Sequence, residues 1–163
     1  MLTEAQQTTL RNFVLADPTF GQLPASNGSA KQIADSLNEL TNPAFIVWRT
    51  NVTADEIGNA WVGTDIDGMS ALNMQRLQLL LASSTVGVFD MRRADRRAGF
   101  ENPFGTNVSN ASRVAMRAVW KKTANGIEKL LATGTGSDAS PGLVTFEGEI
   151  NYIDVNLAMG WVF

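Results

Sequence analysis

The chain contains neither cysteine nor histidine. Without cysteine there can be no disulfide, no thiolate nucleophile and no thiolate metal ligand. Without histidine, the commonest general base and the commonest transition-metal ligand are missing as well. These two absences exclude most hydrolase mechanisms and the usual zinc sites, so no enzymatic activity and no cofactor are expected. Charge is sparse too: 18% of the 163 residues are charged, with 13 basic against 16 acidic side chains and a formal net charge of -3. No global field would therefore drive the molecule onto nucleic acid or an anionic membrane. No apolar run approaches the ~18 residues needed to span a bilayer. Met1-Leu2-Thr3-Glu4 lacks the basic and apolar regions of an export signal, so synthesis in the cytoplasm without export is expected.

What is present is a globular balance. Hydrophobic residues make up 44% of the chain, enough for one core at this length, and nothing marks a second domain. The patterns predict a mainly α fold: a helical bundle of about four to six helices with a short β-hairpin or an extended C-terminal arm. Residues 1–133 would form the bundle, and residues 134–163 a loop, strand and arm of the same single domain.

Thr3 and Gln6 read as a capping box before Leu10, Phe13 and Val14 at helical spacing, which predicts a helix over 3–16. Ser29 with Gln32 predicts a second start, followed by Ile33, Leu37 and Leu40 on one face and a stop near Asn42-Pro43. Residues 44–48 are apolar but too few to assign by period. Thr53 with Glu56 repeats the capping pattern, Gly63 to Gly68 reads as an acidic loop, and Ser70 caps a helix carrying Met74, Leu77, Leu80 and Leu81. A short basic helix is expected over Asp90 to Ala98, and the longest helix from Ser109 or Asn110 to about Ala132. After the flexible Gly/Ser stretch at 134–142, Val144, Phe146 and Ile150 alternate with polar residues as in a strand.

Several motifs fail on their own chemistry. Asp65-Ile66-Asp67-Gly68 resembles the start of a calcium loop, but the twelfth position, which needs a bidentate acid, is Arg76. The 134–142 loop lacks a Gly-Lys-Ser/Thr ending and precedes a strand, so it is not a phosphate cradle. Asn27, Asn51, Asn107 and Asn110 begin glycosylation sequons that carry no meaning without export. Glu147 and Glu149 share a strand face at about 7 Å, the one route left to carboxylate catalysis; an ordinary solvent-facing edge accounts for them better.

The densest signal is basic. On a helix, Arg92, Arg93, Arg96 and Arg97 stack as i, i+4 pairs, and Arg113, Arg117, Lys121 and Lys122 follow along the longest helix. Two basic stripes on a mildly acidic chain fit docking onto an acidic protein surface better than nucleic-acid contact, because no aromatic interleaving accompanies them. Trp48 is expected in the core. Trp120, Phe146, Tyr152, Trp161 and Phe163 are the candidate interface anchors.

Three segments carry a resemblance: Pro43-Ala44-Phe45-Ile46-Val47-Trp48-Arg49-Thr50, Arg92-Arg93-Ala94-Asp95-Arg96-Arg97-Ala98-Gly99-Phe100, and Ala132-Thr133-Gly134-Thr135-Gly136 followed by Phe146-Glu147-Gly148. Together they resemble the head-to-tail adaptors of tailed bacteriophages, also called neck or head completion proteins. The resemblance implies a structural virion protein, made in the host bacterial cytoplasm, that forms a homo-oligomeric ring, usually twelvefold, between portal and tail after DNA packaging. Portal protein and tail or neck proteins would be its partners, with packaged DNA as a further contact and no membrane. It also implies that the segment from Gly134 to Phe163 acts as an arm reaching the portal or a neighbouring subunit. The alternatives are another virion component, a tail terminator or capsid decoration protein, and a small nucleic-acid-binding protein using the Arg92 to Arg97 stripe.

Overall fold

The computed structural model describes residues 1–84 and 86–162, and it is mainly α, with nine α-helices among the described residues. In chain order these are α1 (Glu4–Ala16), α2 (Asn27–Asn38), α3 (Ala54–Asn59), α4 (Gly63–Asp67), α5 (Ala71–Ala82), α6 (Ala94–Glu101), α7 (Ala111–Val119), α8 (Gly126–Leu130) and α9 (Tyr152–Met159). The strands are short: β1 (Ile46–Trp48), β2 (Val52–Thr53), β3 (Val88–Phe89), β4 (Lys121–Thr123), β5 (Ala132–Thr133) and β6 (Leu143–Val144). The chain divides into two compact units, one made of residues 1–47 and 123–163, the other of Trp48–Lys122. Residues 134–162 thus belong with the N-terminal helices.

In the first unit, Thr3 caps α1 through the expected box: its side chain accepts from the Gln6 amide, and the Gln6 side chain accepts from the Thr3 amide. The cap of α2 is Ser26 rather than Ser29. Its Oγ accepts from the Ser29 amide at 3.0 Å, and Ser29 itself is buried. Asn27 and Gly28 therefore lie in the first helical turn. α9 packs against both α1 and α2, so Val155 and Ala158 join Leu10, Val14, Ile33, Leu37 and Ile127 in one core. The C-terminal segment therefore ends in a packed helix. Gly160 closes that helix at φ 70°, a left-handed turn that glycine adopts without steric cost. β5 and β6 pair antiparallel with Ala132 opposite Val144; the alternation toward Ile150 does not continue as strand.

The second unit is built round Val52, Ile57, Leu77, Phe89, Met91, Phe100, Met116 and Trp120. Phe100 meets Phe89 edge-on at 5.2 Å and Trp120 at 6.4 Å. Such aromatic pairs contribute about 0.5–1.5 kcal/mol each beyond burial. Thr53 and Glu56 form the expected box at α3, and β2 pairs with β3. Asp65, expected in a loop, sits in α4, where its carboxylate accepts from the Ser112 amide at 2.9 Å and the Ser112 hydroxyl at 2.7 Å.

The long helix expected from residue 110 to about 132 is broken into α7 and α8. The Trp120 carbonyl accepts from the Arg49 amide at 2.9 Å, and the Ala124 amide donates to the Phe45 carbonyl at 2.8 Å. Groups that a helix would pair internally are thus taken by distant backbone. α6 starts at Ala94 instead of Asp90, because the Asp90 carboxylate accepts from the Arg92 amide at 3.0 Å and holds a turn before the helix.

Candidate interaction surfaces

The arginines from 92 to 97 do not form a free stripe. Arg92 pairs with Asp90 at 2.7 Å, and Arg93 pairs with Asp95 at 2.6 Å. Burial opposes ionisation of Asp90, but hydrogen bonds and charge from Arg92 outweigh it and hold the carboxyl below its ordinary value. The Arg97 guanidinium donates to the Met91 carbonyl and lies over the Trp48 ring, 4.0 Å from its centroid. Arg96 donates to the Ser83 hydroxyl at 2.8 Å and stands 5.4 Å from the Phe89 ring centre, without an ion pair among the described residues.

The second basic set is engaged as well. Arg113 and Arg117 converge on Glu101, at 2.7 Å and 2.6 Å. Only 10% of the Arg113 side chain and 13% of the Glu101 side chain remain exposed. Burial works to raise the Glu101 pKa, yet the hydrogen bonds from Arg117 and Arg113 prevail and leave it lowered. Lys121 and Lys122 lie on β4, half-buried, and neither is without a partner.

The aromatic candidates separate. Trp120, expected at an interface, is fully buried in the core of the second unit, because α7 ends there and turns its ring inward onto Phe100. Phe146 and Trp161 are partly buried against the core of the first unit. Tyr152 is exposed on the first turn of α9, and Phe163 lies outside the described residues.

Two helices are apolar on both faces, which amphipathic surface helices are not. On α9, Val155 and Ala158 face the core while Tyr152, Ile153 and Leu157 are 44%, 48% and 49% exposed. Tyr152, Ile153, Leu157, Trp161 and Val162 line a groove of about 380 Å³ with Asn27 and Asn156. Asn156 Nδ2 donates to Asn27 Oδ1 at 2.7 Å, while the Asn156 Oδ1 is buried without a partner among the described residues. On α5, Leu77 is fully buried while Leu72 and Leu79 are 57% and 64% exposed, with Arg76 between them. A second groove of about 370 Å³ lies beside that face, lined by Arg76, Leu79, Leu80, Gly99, Asn102 and Pro103. The signal for the α5 face was in the sequence: Leu72 and Leu79 are two helical turns apart, beyond the stripe of Leu77 and its neighbours.

Among the described residues no group of three or more acidic side chains could hold a metal ion. The Glu128 carboxylate, the most buried acid, accepts from the amides of Asn125 and Gly148 at 3.2 Å and 2.8 Å. Compared with family models, curated proteins and solved structures, the chain matches none.

Proposed function

We propose that the chain is a structural subunit that works by binding other polypeptides, and specifically a head-to-tail adaptor of a tailed phage, forming a ring between portal and tail. The observation that carries the binding role is the pair of outward apolar faces on α5 and α9, each beside a groove. Exposed apolar area of this kind, rimmed by polar residues, marks protein contact. The narrower virion reading is supported by the sequence resemblance. Protein contact is favoured over DNA contact because most of the arginines that suggested DNA are tied to carboxylates, a carbonyl or an aromatic ring.

The test is assembly with purified portal, read by electron microscopy, together with mass spectrometry of whole particles. An adaptor adds a stoichiometric ring to the portal and is found in the virion. A decoration protein would bind shells that lack a portal, and a chain absent from particles would remove the virion reading altogether.

A further inference from the structure

The charge of this chain is divided between its two units. Residues 1–47 and 123–163 carry three basic against nine acidic side chains, a net charge of -6. Trp48–Lys122 carries ten basic against seven acidic, a net charge of +3. A formal charge of -3 for the whole conceals two units of opposite sign, each presenting one helix with an apolar outer face.

Local charge repeats the pattern at those faces. On α5 the exposed Arg76 stands between Leu72 and Leu79, donates to Asn73 Oδ1 at 3.3 Å and has no ion pair among the described residues. Arg96, bonded to Ser83 at the end of α5, likewise has no ion pair among the described residues. Near α9 the one adjoining cation, Lys31, is paired with Asp35 at 2.5 Å, whereas Glu149, exposed and three residues before Tyr152, has no ion pair among the described residues. The cations beside one apolar face and the anion beside the other lack ion-pair partners among the described residues.

We propose that the occupant of the α9 face is the α5 face of a second copy of this chain. Tyr152, Ile153 and Leu157 of one copy pack on Leu72, Leu79 and the groove beside them in the next, with Glu149 facing Arg76 and Arg96. The contact is heterologous, since two different patches meet, and a pair joined by one such contact leaves one α5 face and one α9 face open. Where each pair of copies shares one such contact, it propagates into a ring or a filament. Apolar area supplies the attraction, and the opposite charges set which faces meet and suppress like-with-like pairing. The proposal deepens the assembly reading above and rests on its claim that copies touch one another, not on its claim that they do so in a virion.

The absence of native cysteine makes the test clean, because any disulfide must join introduced residues. Leu72→Cys or Leu79→Cys chains are mixed in equal amounts with Ile153→Cys or Leu157→Cys chains carrying a mass tag, at high concentration under mild oxidation. All four positions are exposed, so the variants keep their fold, which circular dichroism checks. Mixed disulfides should exceed either homodisulfide by about tenfold for at least one pair, against the twofold of random collision. Arg76→Glu on the first chain, or Glu149→Arg on the second, should lower that yield, and the two together should restore it. A random distribution, a majority of Leu157-to-Leu157 or Leu79-to-Leu79 disulfides, a yield indifferent to the charge swap, or no disulfide at all would overturn the proposal. Selective mixed disulfides with the chain missing from particles would leave the pairing standing and remove only the virion reading.

Discussion

Glu101 is the residue on which the second unit's electrostatics turn. Its carboxylate accepts from Arg113 at 2.7 Å and from Arg117 at 2.6 Å and 2.8 Å, and Arg113 also donates to the Gly105 carbonyl. Glu101→Gln leaves a buried guanidinium without its counter-charge, a change that costs about 3–5 kcal/mol when the pair is well buried. Urea unfolding should show that loss, and Arg117→Ala, at the more exposed partner, should cost less. The same carboxylate gives a pH signature. Its folded pKa lies below the ordinary value of 4.5, so the unfolded chain takes up the proton first. Its stabilisation is therefore complete above the ordinary carboxylate range and fades as pH falls through the lowered folded value. Stability of the native protein should drop as the medium is acidified below 4.5, and Glu101→Gln should drop less steeply across the same window. Gly136 shows a different constraint. It sits at φ 65°, and a methyl there would come within 2.2 Å of the Phe45 ring. Gly136→Ala should cost roughly 1–3 kcal/mol by thermal or urea unfolding, partly recovered when Phe45→Ala is added. The sequence made this loop legible as glycine-rich; it could not tell that the glycines enclose a ring nearly a hundred positions away.

At the scale of elements, what the sequence revealed was what neighbours decide. The boxes at Thr3 with Gln6 and Thr53 with Glu56 were legible because both partners lie three residues apart. The cap of α2 was misplaced by three residues because Ser26 and Ser29 are both cap formers, and their hydroxyls bond to each other at 2.9 Å. The break between α7 and α8 was hidden, since Trp120 to Ala124 contains no residue that stops a helix; backbone partners far along the chain stop it. Asn125 then restarts the helix. Its Oδ1 accepts from the Glu128 amide at 2.9 Å, and its Nδ2 donates to the Gly148 carbonyl at 3.0 Å. One side chain thus caps α8 and ties the segment before α9 to it. Asn125→Ala should lose more than an ordinary cap, about 2–3 kcal/mol, because the half-buried Gly148 carbonyl loses its donor as well. Hydrogen exchange should show the amides near Gly148 opening with those of α8 in this variant. Loss confined to α8 would show that the two segments are held independently.

For the whole molecule, the question is what a chain with so many arginines does with them. Read along the sequence, Arg92 to Arg97 made a positive stripe; in the fold, their carboxylate partners lie two residues away and their remaining contacts come from Met91, Trp48, Ser83 and Phe89. The candidate sites were legible as residues but not as a surface, because helix spacing says where side chains project and not which of them are already neutralised. A consequence follows for DNA. Affinity for duplex DNA rises with the number of phosphates that cations can neutralise, and falls with salt by nearly the same number. The second unit has a net charge of only +3 and the first is at -6, so few counterions would be released. The isolated chain should bind duplex DNA more weakly than about 100 µM at physiological salt, with a shallow salt slope. Arg97→Ala should register as lost stability, about 1–2 kcal/mol from the contact with Trp48, and leave that weak binding unchanged. Fluorescence anisotropy across a salt series decides the matter: micromolar affinity that collapses in Arg93→Ala and steepens at low salt would mean that the arginine side chains leave their carboxylates for phosphate.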